Sequence, residues 1–165
     1  MELGTKFENI YTVECRDAQG NVKWVEEVHN LVVTEGLNDS LDKHLKGSSY
    51  TAAWYVGLTG ATPTFAAGDT MSSHAGWTES SAYSEGARPA LTLGTVSAGS
   101  VSNTASKAAF SINGSATIGG AFVTSNSTKG GGTGTLYGGG AFSGNRSVVN
   151  GDTINVTVTC TAAAA

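Results

Sequence analysis

Polar and apolar residues alternate from Phe7 to Cys15, with Tyr11, Val13 and Cys15 on one face and Ile10, Thr12 and Glu14 on the other. A period of two is the mark of a half-buried strand. Asp17-Ala18-Gln19-Gly20-Asn21 reads as a turn, and Val22 to Val28 returns as a second strand bearing Trp24, which predicts a β-hairpin. After the short apolar run Leu31-Val32-Val33 the period lengthens. Leu37, Leu41 and Leu45 recur every fourth residue and form an apolar stripe, predicting a helix from about Glu35 to Lys46. Thr34 is the expected cap and Gly47 the expected stop. Glu35 and Asp39 sit early and Lys43 and Lys46 late, as the helix dipole favours. Asp39–Lys43 and Asp42–Lys46 have the spacing of stabilising pairs.

Beyond Gly47 the period returns to two. Trp54 to Leu58, Arg88 to Val96, Ala108 to Ile112, Thr117 to Thr124, Thr135 to Phe142 and Thr153 to Thr161 are candidate strands. The last is the cleanest: Ile154, Val156, Val158 and Cys160 face one way, and Thr153, Asn155, Thr157 and Thr159 the other. Turn signals at Asn113-Gly114, Asn126-Ser127 and Asn150-Gly151-Asp152 separate them. The expected fold class is all-β: an antiparallel β-sandwich or jelly-roll-like body with an N-terminal hairpin and one short α-helix. The expected division is a hairpin-and-helix region, 1–46, packed on or appended to a sandwich body, 47–165. Glycines at 119–120 and 138–140 lie inside strand patterns and predict bulges or close backbone approach, whereas 130–132 reads as a loop tip.

Charge sharpens this division. Residues 47–165 carry only eight charged side chains, and residues 1–46 hold the other fourteen. A body this neutral, rich in Gly, Ser, Thr and Ala, suits a part that packs into an assembly. The net charge of −4 and the lack of a basic stripe argue against nucleic acid as a direct partner. No segment is apolar enough to suggest a membrane span, and MELGTKFENIY has neither the basic nor the apolar region of a secretory leader. In a reducing compartment Cys15 and Cys160, each at an apolar strand position, are expected as free, buried thiols.

Chemistry-bearing motifs are sparse. His29, His44 and His74 are scattered without ligand spacing, so neither a metal nor a cofactor is expected. No nucleophile signature is present. Lys129-Gly130-Gly131-Gly132 has its lysine before the glycines, the reverse of a phosphate-binding loop. Asp69 and Asp152, each in Gly-Asp-Thr, read as turn residues. Glu79 and Glu85 flank Tyr83 and are the pair a glycosidase would need; the competing reading is an ion pair with Arg88 that fixes a loop. Trp54 is expected in the core, and Trp77 either in the core or at an interface.

The stretches WYVGLTGATPTFAAGDTMSSHAGWTE, YSEGARPALT, ASKAAFSINGSATIGGAFVTSNSTKGG and GDTINVTVTC, with HNLVVTEGLNDSLD before them, resemble a group of tailed-bacteriophage virion structural proteins. The resemblance spans roughly Asn30 to Thr161 and brings no catalytic residues with it. It implies a non-enzymatic virion component, made in the host cytoplasm and placed on the capsid exterior as a decoration, or cement, protein. Its implied partners are the major capsid protein and further copies of itself, a homotrimer being expected. The alternative is a tail-fibre or receptor-binding module. On the capsid reading Trp24, Phe65, Met71 and Trp77 are the candidate capsid or subunit contacts, and the charged hairpin and the 59–82 loop are the segments expected to reach neighbouring subunits.

Overall fold

A computed structural model of the chain describes residues 5–50 and 53–164. Two antiparallel five-stranded sheets face each other across one core. In the first, β1 (Thr5–Arg16) lies between β2 (Val22–His29) and β10 (Thr153–Ala164). Strands β6 (Ser100–Ser102) and β7 (Ala108–Ser111) share the far edge of β10. The second sheet runs β3 (Leu31–Val32), β9 (Leu136–Val148), β8 (Ala116–Thr124), β4 (Tyr55–Thr59), β5 (Glu79–Ser80). The one helix among the described residues, α1 (Thr34–His44), rests beside β9.

The alternation read from the sequence builds the interior directly. Tyr11, Val13, Ile154, Val156 and Val158 come from the first sheet, and Val56, Leu58, Ile118, Ala121 and Val123 from the second; all are buried together. β1 and β10 pair along their whole length, from Thr5 opposite Ala164 to Arg16 opposite Thr153. The hairpin is therefore an integral part of a sheet, and the expected boundary at residues 46/47 divides strands that share one core. It is not a detachable arm.

A smaller second core lies on the outer face of the second sheet, where Val33, Met71, Trp77, Phe122 and Leu136 are buried with Phe65 packed against them. Glycine makes this possible. A Cβ at Gly57 would strike the Phe122 ring and one at Gly139 the Phe65 ring, so the bare backbone lets aromatic rings lie flat on the sheet. The glycine cluster at 119–120 coincides with a register shift between β8 and β9, as the strand-interior glycines predicted.

Several boundaries differ from expectation. Arg88 to Val96 is not a strand. Pro89 has no N–H to give, and only the Pro89 carbonyl and the Leu91 N–H bond to the Trp54–Val56 backbone. β9 runs on past Phe142, the expected strand end, through Ser143-Gly144-Asn145-Arg146. β5 and β6 are too short to show alternation. Val33, not Thr34, precedes the helix, and no side chain caps it.

Candidate functional site

The first cluster of chemistry-bearing residues surrounds Arg88. Its Nε and Nη2 donate to the two carboxylate oxygens of Glu79 at 2.9 and 2.7 Å. Nη1 donates to the Asn126 carbonyl and Nη2 also to that of Gly131, both at 2.8 Å. Glu79 further accepts the Gly130 N–H. The pair is buried. Lys129 bonds the Tyr83 and Glu85 carbonyls and lies over the Tyr83 ring, while Glu85 accepts the Ser111 N–H. The ion-pair reading holds for Glu79; Glu85 caps a strand instead. Arg88, Glu79 and Lys129 together tie the 125–131 turn to the 79–88 segment. The glycine turn is accordingly pinned at both flanks.

The 59–82 loop is folded around Asp69 and Trp77. Asp69 accepts the Trp77 Nε1–H and the Ala66 N–H, both at 3.0 Å. His74 stacks on the Trp77 ring, with centroids 3.8 Å apart and planes 16° from parallel. Trp77 also packs on Phe122 and Phe65. Trp77 and Met71 are only 4% and 2% exposed, so these two expected contact residues are corrected to members of the second core. Phe65 is partly buried against Trp77, and Trp24 is partly buried against Phe142. The physical reason is a lean interior, in which each large ring is drawn onto the glycine-flattened sheet.

The surface that the sequence left unmarked is the helix. α1 docks through its small and polar residues: Gly36 lies so close to the Tyr137 carbonyl that a Cβ would collide with it, and Glu35 accepts the Leu136 N–H at 2.7 Å. This turns the apolar stripe outward. Leu37, Leu41 and Leu45 are 39%, 52% and 74% exposed. Asp42 bridges to Lys46 at 3.2 Å, as the spacing suggested.

Beside the stripe is a groove of about 720 Å³, bordered by Leu41, Leu45, Tyr50, Phe7, Trp54 and Tyr137. Trp54 and Tyr137, edge to face at 5.3 Å, also border a smaller pocket of about 180 Å³ that reaches between the sheets. Leu91, Val123 and Val158 line that pocket, with Asn9 and Cys160 side by side in the β1–β10 register. Burial pushes the Cys160 thiol up to about 11. Both cysteines are free. Cys15 pairs with Ile154 and Cys160 with Asn9, which sets the thiols about 20 Å apart along the ladder, too far to bridge.

Among the described residues no three His, Cys, Asp or Glu side chains converge as a metal set, and no helix is long and apolar enough to cross a membrane. Compared with protein-family models and with curated proteins, the chain matches none.

Proposed function

We propose that this chain is a non-enzymatic structural protein of a tailed-bacteriophage virion that binds the outside of the capsid lattice and stabilises it. The observation that carries this reading is the outward leucine stripe Leu37–Leu41–Leu45 on a helix anchored through Gly36 and Glu35. Leucines aligned on a fixed helix beside an apolar groove form a surface prepared for a protein partner. The sequence resemblance supplies the setting: the partner is the major capsid protein, and a homotrimer over three-fold lattice positions is the assembly that symmetry favours. Burial of such leucines contributes on the order of 1–3 kcal/mol each, and many copies act in parallel. Binding that favours the mature lattice over dissociated capsomers stabilises the shell by mass action.

A receptor-binding head that holds glycans needs an aromatic platform beside polar or acidic groups, and Trp77 with Glu79 is the pair the sequence offers for one. Trp77 is buried and Glu79 is held by Arg88 and Gly130, so neither is presented to a glycan. Copy number separates the readings: on the order of hundreds per particle for a lattice protein, tens or fewer for a fibre. Particles lacking this protein should assemble but release DNA at lower temperature. Equal heat resistance with and without it, together with a tail-tip location, would overturn the capsid reading.

A further inference from the structure

Two Asn-Gly pairs sit on exposed turns of this fold, Asn113-Gly114 between β7 and β8 and Asn150-Gly151 between β9 and β10. Such a pair carries a latent reaction. The backbone nitrogen that follows an asparagine can attack the side-chain amide carbon. A glycine in that place leaves the approach unobstructed, because it has no Cβ and its backbone turns freely. The sequence gives both pairs equal standing. The structure separates them.

At the second turn the attacking nitrogen is engaged. The Gly151 N–H donates to the Ile112 carbonyl at 2.9 Å, and the Asp152 N–H to the Val149 carbonyl at 3.1 Å. The Val149 N–H donates in turn to the Asp152 carboxylate at 2.9 Å, and that carboxylate is buried and paired with Lys23. Gly151 is held at φ +94°, and a Cβ on it would meet Ala18 of the neighbouring turn at 3.3 Å. Swinging the Gly151 nitrogen toward the Asn150 side chain breaks its bond to Ile112 and disturbs the rest of the set. The first turn has no such lock. Asn113 is exposed, and among the described residues the Gly114 N–H has no hydrogen-bond partner. Nothing lies within 4 Å of the place a Cβ on Gly114 would take. The chain before it is fixed, with the Ile112 N–H on the Asp152 carbonyl at 2.8 Å and the Asn113 N–H on the Ala82 carbonyl at 3.3 Å. The free nitrogen therefore stands just past a held strand end, beside an exposed asparagine.

We infer that Asn113 is a site of spontaneous covalent modification, converting through a cyclic imide with Gly114 to aspartate and isoaspartate, while Asn150 is protected by its turn. In ring closure the Gly114 nitrogen forms a bond to Asn113 Cγ, the Cγ–Nδ2 bond breaks, and ammonia leaves with the proton from the Gly114 nitrogen. Water then opens the imide. Cleavage on the Cγ side gives aspartate, and cleavage on the main-chain carbonyl side gives isoaspartate, whose backbone runs through the former side chain. The net change is one amide and one water exchanged for one acid and one ammonia, with nothing oxidised or reduced. The product adds a negative charge to residues 47–165, which hold only eight charged side chains. This chemistry is independent of the capsid reading.

The test ages the intact protein in mildly alkaline buffer and follows both asparagines by peptide mass spectrometry, with an isoaspartate-specific methyltransferase labelling the product. Asn113 is expected to convert about tenfold faster than Asn150 or more, the factor carried by one hydrogen bond that must first be broken. In urea the two rates should converge, mainly through faster reaction at Asn150, because its protection belongs to the folded turn. Isoaspartate should accumulate at position 113, and Asn113→Gln should remove that label. Equal rates in the native protein, or faster conversion of Asn150, overturn the inference. A rate difference that survives unfolding also overturns it, since the cause would then lie in the flanking sequence. Conversion of Asn113 without isoaspartate would replace the imide route by direct hydrolysis and sink the role given to the Gly114 nitrogen.

Discussion

Arg88 and Glu79 meet in a parallel two-bond pair, at 2.9 and 2.7 Å, inside the protein. The guanidinium also holds two turn carbonyls, so one side chain closes the β8–β9 turn over the 79–88 segment. Removing one partner of such a pair strands the other charge. Arg88→Ala is expected to cost about 3–5 kcal/mol, whereas replacing both partners by apolar residues of similar volume should recover much of that loss. Urea denaturation of the single and double variants measures both. An Arg88→Ala midpoint equal to the wild type would remove the clamp from the account.

Acid should loosen the molecule through Glu26. Burial pushes its carboxyl up, but the Arg146 guanidinium, the Ser143 N–H and the Ser143 hydroxyl outweigh that and hold it below the usual glutamate value of 4.5. A carboxylate depressed in the folded state contributes stability that is complete above its unfolded value. That stability is lost as pH falls through the folded value. Melting temperature should therefore be flat near neutrality and decline below about pH 5. Glu26→Gln should lower stability at pH 7 by about 1.5–3 kcal/mol, the usual worth of a charged hydrogen bond, and make the acid decline shallower. An unchanged acid slope in that variant would assign the decline to other carboxylates.

Strand alternation carried most of the fold into view. Ile154, Val156 and Val158 on β10, and Tyr11, Val13 and Cys15 on β1, point inward as their period of two requires. Long-range pairing partners stayed hidden, because period two sets a face and not a neighbour. Hence the full-length β1–β10 ladder, which makes the hairpin part of the sandwich, was not legible. The direction of the helix was hidden for a related reason. Leucines every fourth residue define a stripe whether that stripe covers the chain's own core or waits for a partner. The one contrary signal was Gly36, which allows the opposite face to press against β9. Met71 and Trp77 sat in a loop by composition, and only the bare glycines of the sheet beneath explain why they are buried.

Gly36 offers a test in which two effects oppose. Alanine raises helix propensity by about 1 kcal/mol, yet its Cβ would collide with the Tyr137 carbonyl. Overpacking against backbone costs typically about 1–3 kcal/mol. Gly36→Ala is expected to be net destabilising, and faster hydrogen exchange at the Leu136 amide would report the lost Glu35 bond. A stabilised variant would mean that the helix shifts freely on β9.

The thiols should be nearly inert. Burial pushes both up to about 11 from 9.0, with the Asp152 carboxylate adding to the effect at Cys15. That rise leaves about a hundredfold less thiolate at pH 8. Iodoacetamide should therefore modify the native protein about a hundredfold more slowly than an ordinary thiol, accelerating as pH rises toward 11. Two thiols should be counted in denaturant. Rapid labelling at pH 8 would place a cysteine at the surface.

The leucine stripe and the second core should respond in opposite ways. Leu41 and Leu45 are exposed, so Leu41→Glu and Leu45→Glu remove few internal contacts and should change stability by no more than about 0.5 kcal/mol. Met71→Ala and Trp77→Ala open cavities in a buried cluster and should cost about 2–5 kcal/mol. Binding to particles should show the reverse order. A charge set into an apolar contact must be desolvated without a partner, so the Leu41→Glu and Leu45→Glu proteins should bind particles at least tenfold more weakly while melting like the wild type. Met71→Ala, kept well below its melting temperature, should bind nearly as well as the parent. Sedimentation with particles measures one quantity and thermal unfolding the other. If the glutamate variants bind as tightly as the wild type, the stripe is not the contact and the outward face of α1 loses its role.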